Sequence, residues 1–182
     1  AYLCAVEDSS DVSYEKIQKV IDSANKKSNI RPKWQGGDMN VSAYYRFGAG
    51  TQTAGLAAGG NAFIANTEAY NGSSWTEVGD LNTARFGHAS LGHTSTSAFA
   101  VGGSSAASGA AAIVEQWDGS SWTEVGDLNT GRRQVASDGL YTDAIVFGGE
   151  DAAEVFLGVT ETWNGTSWAE TGDLNVTRYN LG

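Results

Sequence analysis

The 182-residue chain has a single cysteine, Cys4, and two histidines. One cysteine excludes an intrachain disulfide, and with it a stapled secreted scaffold, and it supplies no thiolate set for zinc. Lysine is missing from most of the chain: Lys16, Lys19, Lys26, Lys27 and Lys33 are all of it. From Gly37 onward sixteen acids face five arginines, and the formal net charge of the whole is −10. A surface so short of positive charge repels phosphate backbones and gains nothing from counterion release, which argues against nucleic acid as a partner. The acidity serves solubility. No apolar run approaches the roughly 18 residues of a membrane span, and no basic segment precedes the short apolar start, so neither a transmembrane helix nor a signal peptide is expected. An initiator methionine is also absent, as in a processed chain or a fragment.

What the chain has in abundance is repetition. The phrase Asn71-Gly72-Ser73-Ser74-Trp75-Thr76-Glu77-Val78-Gly79-Asp80-Leu81-Asn82-Thr83-Ala84-Arg85 returns from Asp118 to Arg132 and again from Asn164 to Arg178. Trp75, Trp122 and Trp168 step by 47 and 46 residues. A fixed period between 20 and 50 residues marks a solenoid, a propeller or an array. Trp34 to Asn40 is a degenerate copy of the same core, one residue shorter, so the chain divides into an N-terminal segment, 1–37, and a repeat domain, 38–182. The units run 38–79, 80–126 and 127–172, with a partial unit at 173–182.

The N-terminal segment predicts a short amphipathic helix over about 13–25. Tyr14, Ile17, Val20, Ile21 and Ala24 share one face, and Ser13 is placed to cap the first turn. A helix this short is marginal alone, so its apolar stripe is expected to dock on the repeat domain or on a neighbouring chain.

Within one repeat, strands are expected around Gly87 to Leu91, up to Gly102-Gly103, from Ile113 to Trp117 and from Ser121 to Val125. Asn71-Gly72 and Asp118-Gly119 between them are hairpin signals, because these residues tolerate positive φ. Four short strands in about 46 residues fit an all-β unit of the propeller-blade type far better than a helical repeat.

Three features recur in every unit: the glycine pairs Gly59-Gly60, Gly102-Gly103 and Gly148-Gly149, the glutamates Glu68, Glu115 and Glu161, each two residues before an aromatic, and the arginines Arg85, Arg132 and Arg178 after the tryptophan. Together with His88 they resemble the Kelch repeat. The Asp-Leu-Asn-Thr-Ala-Arg phrase and the Gly48 to Ala57 stretch are similar, more narrowly, to Kelch-like arrays in proteins of tailed bacteriophages. The resemblance covers residues 38–182 and implies a Kelch-type β-propeller architecture of about three four-stranded antiparallel blades plus partial units. It also implies a virion component, structural or for attachment, that contacts protein partners, a surface glycan or a receptor. Three units are too few to close a ring, since propellers have four to eight blades, so an assembly, with a homo-oligomer foremost, is expected.

Catalysis needs different residues converging on one point, whereas here the polar residues repeat once per unit. That pattern points to structure: Glu68, Glu115 and Glu161 as scaffold, Arg85, Arg132 and Arg178 as their partners, and Trp75, Trp122 and Trp168 as packing between units. The chain accordingly reads as non-enzymatic, with no cofactor and no metal. Some Kelch propellers resemble galactose oxidase, whose copper site needs a Tyr cross-linked to Cys, a second Tyr and two His. Here Cys4 lies outside the repeats, and His88 and His93 are five apart in one unit. That oxidase-like or carbohydrate-binding role is the alternative. Loops that differ between units are the better place for partner contacts. After each glycine pair the chain changes in length and charge, which nominates Phe63 and Ile64 in the first unit and Glu150, Asp151 and Phe156 in the third.

Overall fold

Turn chemistry sets the ends of the strands. Asn71, Asp118 and Asn164 each turn a side-chain oxygen onto the backbone N–H groups two and three residues on, at 2.8–3.0 Å, and the glycine that follows each of them takes a positive φ of 92–99°. The sequence Asn/Asp-Gly therefore closes a hairpin at the same place in every unit. The computed structural model describes residues 37–179. The expected helix at 13–25 lies outside them, as does Cys4.

The first unit carries β1 (Phe47–Thr51), β2 (Ala54–Ala58), β3 (Thr67–Tyr70) and β4 (Trp75–Glu77), paired antiparallel in that order. A short strand β5 (Arg85–Phe86) leads into the second, made of β6 (Ala89–Thr94), β7 (Ser97–Val101), β9 (Val114–Trp117) and β10 (Trp122–Glu124), with β8 (Ser104–Ser105) pairing back to β5. The third holds β11 (Ala136–Leu140), β12 (Asp143–Phe147), β13 (Thr160–Trp163) and β14 (Trp168–Glu170). All regular structure among the described residues is β: three four-stranded sheets and one two-stranded sheet, all antiparallel.

The first strands β1, β6 and β11 lie side by side, with β6 in the middle. They are built from small residues, such as Gly48-Ala49-Gly50 and Ala136-Ser137, because three backbones meet there and a larger side chain would hold them apart. Two contacts tie them. Ser137 Oγ donates to Ser90 O at 2.7 Å, and a backbone ladder runs from Gln134 N to Gly87 O at 2.7 Å and from Gly87 N to Tyr45 O at 3.2 Å. All three rungs, Tyr45, Gly87 and Gln134, have φ between 53° and 63°, so the ladder forces two non-glycine residues into the left-handed region.

Sheets stack through apolar faces. Phe47, Leu56, Ala58 and Leu81 of the first meet Ala98, Ala100, Trp117 and Trp122 of the second. Leu91, Phe99, Val101, Val114 and Leu128 of the second meet Ala144, Val146, Trp163 and Trp168 of the third. Each third strand ends opposite the tryptophan of the fourth: Tyr70 pairs with Trp75, Trp117 with Trp122 and Trp163 with Trp168, ring centroids 5.1–5.4 Å apart. Such cross-strand aromatic pairs fix register as well as burying area.

Candidate functional site

The recurring glutamates are the most buried acids among the described residues. Glu68, Glu115 and Glu161 have no accessible surface, and each is gripped by the loop that opens its own unit. Asn82 donates its backbone N–H and its amide to Glu115 Oε2 at 2.7 and 2.9 Å, and Thr83 N donates to Oε1 at 3.1 Å. Asn129 and Thr130 treat Glu161 in the same way, at 2.7, 2.9 and 3.2 Å. Asn40 and Val41 do so for Glu68. The degenerate copy ending at Asn40 is therefore a working clamp. Burial would raise the Glu68 pKa, but the donors of Asn40 and Val41 and the Arg46 guanidinium outweigh it and hold the carboxyl below its ordinary value.

An arginine completes each clamp. Arg85 sits 3.1 Å from Glu115 Oε1, close enough to pair as ions though out of line for a hydrogen bond, and donates to Ala100 O at 3.1 Å. Arg132 bonds Glu161 Oε1 directly and Val159 O at 2.6 Å. Both guanidinium groups are buried, which lowers their pKa; the carboxylates around them, Glu115, Glu124 and Asp127 for Arg85, raise it in opposition. Glu124 and Glu170 stand directly across the strand from the clamped glutamates, so the arginine also offsets a like-charge pair.

The first unit departs from the pattern. Ala43 occupies the arginine's place in the phrase, and Arg46, three residues later, reaches back to Glu68 Oε1 at 3.1 Å and to Gly59 O at 2.7 Å. Sequence reading missed Arg46. The available signal was that Glu68 had no arginine at the repeat spacing, whereas every other described glutamate of this type did. Arg178 shows the converse: its place in the phrase is right, and its side chain is exposed with no carboxylate partner among the described residues.

Trp122 packs edge-on against Phe47, 5.7 Å between centroids, and donates its Nε1–H to Thr67 Oγ1 of the first sheet at 3.0 Å. Trp168 fills the same slot against the second sheet, but Val114 stands where Thr67 does, and the buried Trp168 Nε1 has no acceptor. Trp75 is half-buried beside Tyr70. The glycine pairs have a steric reason. Gly59, Gly102 and Gly148 hold φ of 65–68°, and a Cβ on Gly59 or Gly102 would come within 2.6 Å of the Arg85 or Arg132 carbonyl oxygen. Gly60, Gly103 and Gly149 then donate to the carbonyls of Arg85, Arg132 and Arg178 at 2.9–3.0 Å.

His88 precedes β6 and His93 lies within it near the far end, about 16 Å of strand apart. His88 is buried, stacked on Phe47 at 5.9 Å, and neither ring nitrogen has a partner. Burial, and then the Arg85 charge, push its pKa down to about 3. His93 is exposed, 3.8 Å from Asp138. Among the described residues no three His, Cys, Asp or Glu side chains group as metal ligands, and no helix is long and apolar enough to cross a membrane.

The loops that differ between units gather at one end of the sheets, where second strands finish and first strands begin. Here Tyr44, Tyr45, Phe63 and Phe86 form an aromatic cluster: Tyr44 to Tyr45 is 5.0 Å edge-on, Tyr45 to Phe86 6.3 Å stacked, and Phe63 to Phe86 5.4 Å. Tyr44, Tyr45 and Phe63 are 63%, 56% and 40% exposed. Tyr45 and Phe63 have φ of 55° and 56°, and Ala62 before Phe63 has 62°. Holding bulky residues in that region costs of order 1 kcal/mol each, a cost that functional sites commonly carry. Ile64 lies behind, half-buried, its N–H on Gly60 O at 3.2 Å. Tyr45 also lines an open groove of about 380 Å³ along the starts of β6 and β11.

The third unit builds the same backbone position differently. Arg133, the counterpart of Tyr44 and Phe86, bonds Glu150 at 2.8 Å and approaches Glu154 at 3.4 Å. Glu150 is buried under this pair. Asp151 accepts from Ala153 N and Val155 N at 2.8 and 2.9 Å, so its carboxylate shapes its own loop. Phe156 is exposed and stacks on Tyr179 at 4.3 Å. Comparison with protein-family models and with curated proteins gives no match.

Proposed function

We propose that the chain is a non-enzymatic attachment module, a Kelch-type array serving as a bacteriophage virion component, and that it meets its partner through the loop end carrying Tyr44, Tyr45, Phe63 and Phe86. The observation that carries the reading is this aromatic cluster, with Tyr44, Tyr45 and Phe63 exposed and Tyr45 and Phe63 held on left-handed backbone. Aromatic side chains dominate contact energies, and rings presented at low entropic cost are what a recognition surface needs. The repeated polar residues support it from the other side, because glutamate, asparagine and arginine pair with one another inside the molecule, by hydrogen bond or ion pair, and leave the variable loops for contact. Open ring faces suit stacking on a sugar, so a surface glycan on the host is the receptor form favoured here.

The test is binding of the labelled chain to a glycan array and to intact bacterial cells, comparing the parent with a Tyr44→Ser, Phe63→Ser double variant. Loss of two anchors should weaken binding by about 100-fold or more at unchanged strand content. A variant that binds as the parent does would remove the loop end from the function.

A further inference from the structure

The outer flank of the third sheet repeats, at most positions, the surface that the first sheet turns to the second and the second to the third, with exposed Asp138 at the place of buried Leu91. Leu56 and Leu81 of the first and Phe99 and Leu128 of the second are buried in those two interfaces. Their counterparts on the third, Ile145 and Leu174, are only half-buried, as is Phe147, the counterpart of the buried Ala58 and Val101. Thr67 Oγ1 accepts the Trp122 indole N–H, whereas the equivalent Thr160 Oγ1 is buried with no hydrogen-bond partner. The two threonines are otherwise set alike: Asp80 accepts from Thr67 N at 3.1 Å and Asp173 from Thr160 N at 3.3 Å.

The loop that would grip a glutamate is in place as well. In the second interface Leu128 N bonds Ala112 O, Arg132 N bonds Ala111 O, and Gly103 N bonds Arg132 O. In the third unit Leu174 N bonds Gly158 O, Arg178 N bonds Leu157 O, and Gly149 N bonds Arg178 O, so residues 174–178 follow the course of 128–132. Asn175 and Arg178, the counterparts of Asn129 and Arg132, are exposed and meet no carboxylate among the described residues.

We propose that this flank docks one further unit of the same repeat, a four-stranded sheet that brings an outer-strand tryptophan to Thr160 Oγ1 and an unclamped third-strand glutamate to Asn175, Val176 and Arg178. Continuity with the two internal interfaces specifies the occupant. A second copy of the chain fits less well, because Glu68, Glu115 and Glu161 are each already gripped by their own chain's donors. The surface is separate from the aromatic loop end and does not depend on it.

The experiment extends the 182-residue chain after Gly182 with a duplicate of residues 137–182 and introduces Arg178→Ala in both the parent and the extended chain. In the parent the exposed arginine should change the unfolding temperature by no more than about 1 °C. In the extended chain the same substitution strands a buried carboxylate and should lower it by more than about 5 °C, as Arg132→Ala does in the parent. Amide exchange at Asn175 and Val176 should slow in the extended chain alone. An unchanged melting temperature for extended Arg178→Ala, or amides as fast as in the parent because the added unit does not dock, overturns the proposal. So does a parent that is dimeric by light scattering and becomes monomeric on Phe147→Asp, which would give the flank to a second copy.

Discussion

Replacing His88 by valine, the residue that the third unit carries at the same place as Val135, should flatten the acid side of the stability curve. The imidazole is sealed between Phe47 and the Arg85 turn, with Gly59 and Gly103 against it and no hydrogen-bond partner for either nitrogen. Its pKa falls from 6.5 to about 3, because burial and the neighbouring guanidinium both disfavour the cation. A folded pKa below the unfolded one gives stability that is full above pH 6.5 and is lost as pH falls toward 3. Between pH 7 and pH 5 the unfolded chain takes up about three-quarters of a proton that the folded chain refuses, which removes about 2 kcal/mol. At pH 5 that figure depends on the unfolded pKa alone, so long as the folded value stays below about 4.

For a domain of this size the loss is about 4–8 °C in melting temperature. The parent should therefore lose about that much more than His88→Val between pH 7 and pH 5, by calorimetry at matched ionic strength. Other acid-sensitive groups, Glu68 among them, are present in both proteins and cancel. Parallel curves would refute the reasoning, as would an NMR titration placing His88 near 6.5.

Val114→Thr should supply the acceptor that Trp168 Nε1 lacks and raise stability to urea by about 1 kcal/mol, the worth of one internal hydrogen bond; a loss would mean that the hydroxyl does not meet the indole. Glu115→Ala leaves Arg85 buried without its counter-ion and should cost about 3–5 kcal/mol in the same assay, far more than Glu77→Ala on the exposed side of the first sheet. Gly59→Ala meets the Arg85 carbonyl at 2.6 Å and should destabilise by at least about 1 kcal/mol, with Gly172→Ala, which has open space around it, as the neutral control.

The sequence by itself determined what is local. Asn71-Gly72, Asp118-Gly119 and Asn164-Gly165 carry their own turn chemistry within three residues, and the apolar run before each glycine pair has the length of a strand, so the strand positions and the all-β class were legible from the repeat alone. The steric need for glycine at 59 and 102, against a carbonyl some 26–30 residues away, lay beyond it. So did the exchange of Ala43 and Arg46 in the first clamp, because a guanidinium on a long side chain can reach Glu68 from either place and only packing decides which residue supplies it. The indole of Trp168 lost its acceptor through a valine 54 residues earlier, a pairing that no periodicity reports. The aromatic loop end is the extreme case. Phe63 was singled out by its variable loop, but Tyr44, Tyr45 and Phe86 come from two other segments, and they meet it only because the first strands of neighbouring sheets lie side by side and the ladder through Tyr45, Gly87 and Gln134 fixes where each segment enters.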